Sequence, residues 1–303
     1  MTAPDVAAWS VAPGRLSEGP RWHEERQELL WVDILGRRLH IGTVASDGTL
    51  EDVEIIDLDR HVGAAAPAVD GGYVLAAGQG FLFIDPSGSV RELAQPEAGR
   101  SDVRMNDGAC DPQGRFWAGT MAYDESPGAG TLYRLELDGS CTRVLTGLTI
   151  SNGIGWSPDA TTMYLADSGT GSVDAFDFDL ASGDLSRRRT FVHVDQPGVV
   201  PDGLTVDADG AIWVALWGGG AVNRYAPDGA LLMTVSLPVD QPTSCAFGGP
   251  DRATLFVTTA REGLDEAAQA RQPDAGRVFA IAGLGTRGLP CQLYRGRIEA
   301  DTP

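Results

Sequence analysis

Hydrophobic and polar positions in this chain fall into short alternating runs, such as GRFWAGT, TLYRLEL and AIWVALW, each bounded by Gly, Pro, Asp or Asn. Short runs of this kind predict strands joined by tight turns, not long helices. The turn signals come in two phased sets. One holds Asp70-Gly71, Asp111 to Gly114, Ser157-Pro158-Asp159, Asp209-Gly210 and Gly249-Pro250-Asp251. The other holds Asp47-Gly48, Asp85 to Gly88, Asp138-Gly139, Gly183-Asp184 and Asp228-Gly229. Read together, they place turns after the first and third strands of a four-stranded antiparallel meander.

The meander repeats. Units open near Glu18, His61, Asn106, Asn152, Asp202 and Thr243, a period of roughly 45 to 50 residues of the kind that marks a repeat architecture. The fold class predicted is all-β: a six-bladed β-propeller of four-stranded antiparallel blades, which avoids long exposed edges by radial repetition. The segment Val6 to Val11 is expected to pair with the last blade and close the ring, so that residues 1–303 make a single propeller domain. Two longer connections stand out, at Tyr123 to Gly130 (YDESPGAG) and at Arg261 to Gly276. Within the second, LDEAAQARQ predicts two helical turns. Long loops on one face are where binding functions concentrate.

Composition narrows the chemistry. A hydrophobic fraction of 43% with 21% charged residues describes a globular chain with an ample core. The net charge of −19 argues against nucleic acid or an anionic membrane as partner. All 23 basic residues are arginine, which removes Schiff-base chemistry and the phosphate-loop lysine. The N-terminus carries no signal-peptide pattern and no apolar run is long enough to span a bilayer, so the expected location is cytoplasmic. Cys110, Cys141, Cys245 and Cys291 are widely spaced and are expected to be reduced. The Gly-x-Gly-x-x-Gly match at Gly283 to Gly288 has no helix-forming run after it and reads as a turn. No Gly-x-Ser-x-Gly elbow occurs, and His23-Glu24-Glu25-Arg26-Gln27 lacks the second His of a zinc-protease helix.

One recurrence is not explained by turns. Glu18, Asn106, Asn152 and Asp202 each stand close to a glycine at the opening of the innermost strand of a unit. In a propeller that position faces the mouth of the central channel, where residues distant in sequence converge. Four oxygen-bearing side chains, two of them anionic, would repel one another and stay unsatisfied unless a cation sat among them. Hard oxygen donors suit one divalent metal ion such as Ca²⁺, Mg²⁺ or Mn²⁺, with Zn²⁺ and Fe²⁺ also accepted. Arg104 would bring a fixed positive charge suited to an oxygen-rich substrate. His61 opens the second unit and is a further candidate for the channel face.

Together SEGPRW…LLWVDI, RMNDGACDPQGRFWAGTM, SNGIGWSPD…MYLADS, PDGLTVDADGAIWVALWGGGAVNRYAPDG and TTAREGL…QPDAGRVFAI resemble the senescence-marker/gluconolactonase (regucalcin-like) family, in the same order and over essentially the whole chain. The resemblance implies a six-bladed propeller and metal-dependent hydrolysis of a sugar lactone to the aldonic acid. Position by position, it makes Glu18, Asn152 and Asp202 metal ligands. It makes Arg104 and Asn106 the substrate-contacting pair, Asp202 also the general base, and Tyr123 to Gly130 a lid. Blade two's opening, HVGAAAPAV, departs from the family's pattern. Two other readings use the same residues: a non-catalytic divalent-cation-binding regulatory protein, or a propeller esterase or phosphotriesterase with an apolar wall drawn from Trp213, Trp217 and Phe116. A closed ring can stand as a monomer or a weak homo-oligomer.

Overall fold

The computed structural model describes residues 4–10, 12–45 and 49–298. Six four-stranded antiparallel sheets are arranged as a six-bladed β-propeller. In blades one to five the strands follow chain order from the axis outwards: 17–57, 62–94, 103–148, 151–193 and 200–236. Blade six takes Pro242–Gly248, Thr254–Thr259 and Phe279–Ala282, then Asp5–Ala8 as its outermost strand. Asp5 lies opposite Ala282 and Ala8 opposite Phe279, so the N-terminal segment closes the ring as expected. Val11 and the Asp47-Gly48 turn lie outside the described residues.

The turns form for a local reason. Asp85, Asp111, Asp138, Asp207 and Asp228 each accept the backbone N–H two residues on through Oδ1. That closes an Asx turn. The glycine that follows each aspartate has φ between 82° and 89°, where a β-carbon would be strained. The connection in blade six does contain a helix, Glu266–Arg271, capped by Asp265 Oδ1 accepting the Ala268 N–H at 2.7 Å. Gly283 to Gly288, read from the sequence as a turn, is an irregular segment with a bend at Gly285 and a bridge at Gly288, and no helix follows it among the described residues.

The core lies between blades. Phe81, Phe116 and Tyr133 pack with the inner strands of blades two and three, and Trp213, Phe247 and Phe279 do the same for blades five and six. Trp213 and Phe116 are fully buried there, which removes them from any pocket wall. Inner strands approach closely because glycine follows the opening residue. A β-carbon on Gly63 would collide with the carbonyls of Met105 and Asn106, and one on Gly153 with the Asp202–Leu204 backbone. At these same points the register slips, between Glu18 and Arg21, Met105 and Gly108, Ser151 and Ile154, and Pro201 and Leu204. A bulge of this kind re-aims side chains out of the ladder.

At the other end of the inner strands the C-terminal segment crosses the ring. Gly288 bridges to Asp207 and Tyr294 to Ala68, and the buried Tyr294 hydroxyl donates to the Glu136 carbonyl at 3.0 Å. All four cysteines are free. Among the described residues, no helix is long and apolar enough to cross a membrane.

Candidate active site

The bulges bring Glu18, Arg104, Asn106, Asn152 and Asp202 into one cavity of about 430 Å³. All five side chains are at most 7% exposed, so their polar atoms must find partners inside the protein or in whatever fills the cavity.

Glu18, near the start of the strand Ser17–His23, accepts the Gly19 N–H at 3.0 Å through Oε2 and no other hydrogen bond among the described residues. Burial, then the charge of Asp107, raises its carboxyl to about 8. Asn152 donates its amide to Ser168 Oγ at 3.1 Å, and Ser168 in turn donates to the Pro201 carbonyl at 2.7 Å. This relay fixes the amide orientation and leaves Asn152 Oδ1 with no partner among the described residues. Asp202 Oδ1 is likewise buried and unpartnered. Its carboxyl is pushed well up by burial, then by Glu18 and Asp107.

Arg104 is buried yet makes no ion pair among the described residues. One nitrogen, Nη1, donates to Asn106 Oδ1 at 2.6 Å and to the Met105 carbonyl at 3.0 Å. Asn106 passes the support on, donating through Nδ2 to the Ser151 carbonyl at 2.9 Å. The guanidinium makes no other hydrogen bond among the described residues. Asn106 therefore serves first to hold Arg104, a division of labour that the sequence did not reveal.

Sequence reasoning missed Asp107. It is 2% exposed, accepts the Gly108 N–H at 2.7 Å, lies 3.6 Å from Arg21 Nη2, and keeps Oδ2 unpartnered. Its signal was present: in Asn106-Asp107-Gly108 it is the aspartate that touches the glycine. Asp107 does not itself line the cavity and acts on Glu18 and Asp202 through its charge, whereas Ser168, Glu125 and the apolar Leu16, Met121, Ile150, Val200 and Trp217 do line it. His61 does not. It is half-buried, with Nδ1 2.9 Å from the Tyr123 hydroxyl. The connection expected to act as a lid contributes Glu125 to the cavity.

Two buried carboxylates and an orphaned amide oxygen around one space fit a hard divalent cation, which would relieve both their repulsion and their lost hydrogen bonds. Among the described residues no cluster of three or more His, Cys, Asp or Glu side chains is disposed to hold a metal. Asn152, whose amide oxygen has no partner among the described residues, lies outside those residue types.

Comparison with known proteins places the chain in a family. Residues 16–261 match the SMP-30/Gluconolactonase/LRE-like region. Regucalcin of Xenopus laevis is 38% identical over 289 residues, covering 93% of this chain and 95% of its own. A calcium-binding protein, regucalcin, from Agrobacterium tumefaciens superposes with a TM-score of 0.88 at 32% identity, covering 94% of this chain and 95% of its own. A gluconolactonase from Xanthomonas campestris gives a TM-score of 0.71 at 25% identity, covering 89% and 86%. The matched region takes in the inner-strand openings of all six blades, and the chain belongs to the SMP-30/gluconolactonase/LRE-like family.

Proposed function

We propose that this protein is a metal-dependent lactonase that hydrolyses a sugar lactone to the open aldonic acid. The observation that carries the reading is the pair of buried oxygens, Asn152 Oδ1 and Asp202 Oδ1, without partners among the described residues, on side chains lining a cavity that also holds a buried arginine with no carboxylate partner among those residues. Glu18, Asn152 and Asp202 would hold the cation. When bound, it supplies a Lewis acid that polarises the lactone carbonyl and lowers the pKa of water.

The remaining steps belong to the chain's own groups. Asp202 takes the proton from the attacking water and returns it to the ring oxygen as the C–O bond breaks. Arg104 donates to the hydroxyls of the sugar, with Asn106 keeping the guanidinium in place. Ser168 keeps the Asn152 amide turned so that oxygen, not nitrogen, faces the cavity. A lactone is already an activated ester, so positioning and charge stabilisation are adequate and no nucleophilic side chain is required.

Apolar Met121, Ile150, Val200 and Trp217 share the wall, so a hydrophobic ester is the competing substrate. The deciding experiment is acid release from a panel of sugar lactones and aryl esters by chelator-treated protein, before and after divalent cations are restored. Cation-restored turnover of sugar lactones supports the proposal. Turnover of aryl esters alone, or one-to-one cation binding with no turnover, overturns it in favour of the esterase or the regulatory protein.

A further inference from the structure

The cavity is lopsided about the propeller axis. Its walls come from blades one, three, four and five, and among the described residues none from blade two or blade six takes part. Blade six turns its opening inward: Thr243 Oγ1 donates to the Ser17 carbonyl at 2.6 Å and lies 2.8 Å from Thr258 Oγ1. Blade two is closed differently. After His61 its opening is Val62-Gly63-Ala64, apolar and buried, and it offers nothing polar to a ligand.

His61 instead reaches across to blade three. Its Nδ1 lies 2.9 Å from the Tyr123 hydroxyl, with ring centroids 5.7 Å apart. Tyr123 directly follows the strand Phe116–Ala122 and begins the long connection over the mouth. The far end of that connection is tied to blade four, where the Gly128 N–H donates to Thr149 Oγ1 at 3.3 Å. Between the two anchors Glu125 is held at φ 56°, a left-handed conformation that costs a non-glycine residue, and it lines the cavity. Tyr123 is 51% exposed, so core packing does not account for its position. Strain in the connection and an exposed aromatic bonded to another blade both point to a loop whose placement matters.

We propose that His61 and Tyr123 form a clasp that closes the blade-two side of the mouth and so limits the site to compact, single-ring lactones. The inference rests on the lactonase reading. Neither side chain lines the cavity, so both are positioning residues that act through the connection carrying Glu125. With the clasp shut, a lactone bearing a second sugar ring meets the loop where its second ring would project. With it open, the ring has room beside blade two.

The test uses Tyr123→Phe, which keeps the aromatic ring and removes the bond, His61→Ala, and His61→Gln as the conservative variant. Two readouts are taken: hydrogen exchange of the 123–129 amides in the full-length protein, and kcat and KM for a single-ring and a two-ring aldonolactone. Losing one hydrogen bond should speed exchange in the loop by about fivefold to tenfold. The preference for the single-ring substrate should fall by a similar factor, through KM, and His61→Gln should recover part of it. Unchanged loop exchange in both Tyr123→Phe and His61→Ala overturns the clasp, as does an equal loss on both substrates. If the wild-type protein hydrolyses no lactone, it is the lactonase reading that fails, and the exchange measurement then decides by itself whether the clasp holds the loop.

Discussion

Asp202 and Asp207 sit at the two ends of one inner strand, Val200–Val206, and are both almost wholly buried, at 4% and 0% exposure. Asp207 is surrounded by donors. Its Oδ1 accepts the Asp209 and Ala211 N–H groups, and its Oδ2 accepts the Trp213 indole at 3.0 Å and Arg224 Nε at 2.8 Å. Arg224 also stacks over the Trp213 ring. Asp111 in blade three repeats the arrangement with Trp117 and Arg115. Asp202, by contrast, keeps an oxygen with no partner and faces Glu18 across the cavity. One strand thus carries a carboxylate that the fold satisfies and another that it leaves open. A fold tolerates an unpaired buried charge only where something else completes it.

The sharpest way to break this comparison is to neutralise each aspartate. Asp202→Asn should lower kcat for lactone hydrolysis by about 10²- to 10⁴-fold, the usual worth of a positioned proton acceptor. It should leave the cation-free protein at least as stable to urea, because a repelling charge is removed. Asp207→Ala should do the reverse. Taking away the acceptor of the buried Trp213 indole and one of the two carboxylate partners of Arg224, which keeps Asp209, should cost about 1–3 kcal/mol in urea unfolding, while the protein that remains folded keeps its kcat. Equal stability losses in the two variants would contradict the distinction.

A smaller effect sharpens it. In the metal-free protein the Glu18 carboxyl is raised from 4.5 to about 8, chiefly by burial. The native state therefore holds a proton that the unfolded chain has released, and stability should fall as pH rises from about 4.5 to about 8. Glu18→Gln should flatten that decline, and so should saturating divalent cation, since a bound ion stabilises the ionised form. Melting temperatures across this pH range, with and without cation, check it. A decline untouched by either change would assign the pH dependence to other groups.

Much of the fold was legible because its determinants are local. Asx turns at Asp85, Asp111 and Asp138 need only a side chain and the backbone two residues on, so the repeat could be read directly. The closing strand and the helix after Asp265 followed from the same grammar. Glu18, Asn106, Asn152 and Asp202 were singled out by their shared phase at the inner-strand openings, and Arg104 by its charge two residues before Asn106. What the sequence withheld depends on distant partners. Asp111, Asp202 and Asp207 all look like turn aspartates, and only the arrival of Trp117, Trp213 or Arg224 separates the satisfied from the orphaned. Asp107 was overlooked because Asn106 occupied the expected position beside it. The support of Asn152 by Ser168, and the contact of His61 with Tyr123, join residues from different strands or blades that no periodicity links.

The most direct test of the account is a titration of one divalent cation into chelator-treated protein, with heat and lactone hydrolysis followed on the same preparation. The account predicts that the hydrolysis rate rises with the fraction of protein holding cation and stops rising at one equivalent, and that Asp202→Asn abolishes the rate. A rate indifferent to the cation, or one equivalent bound with no hydrolysis of any sugar lactone, would contradict it.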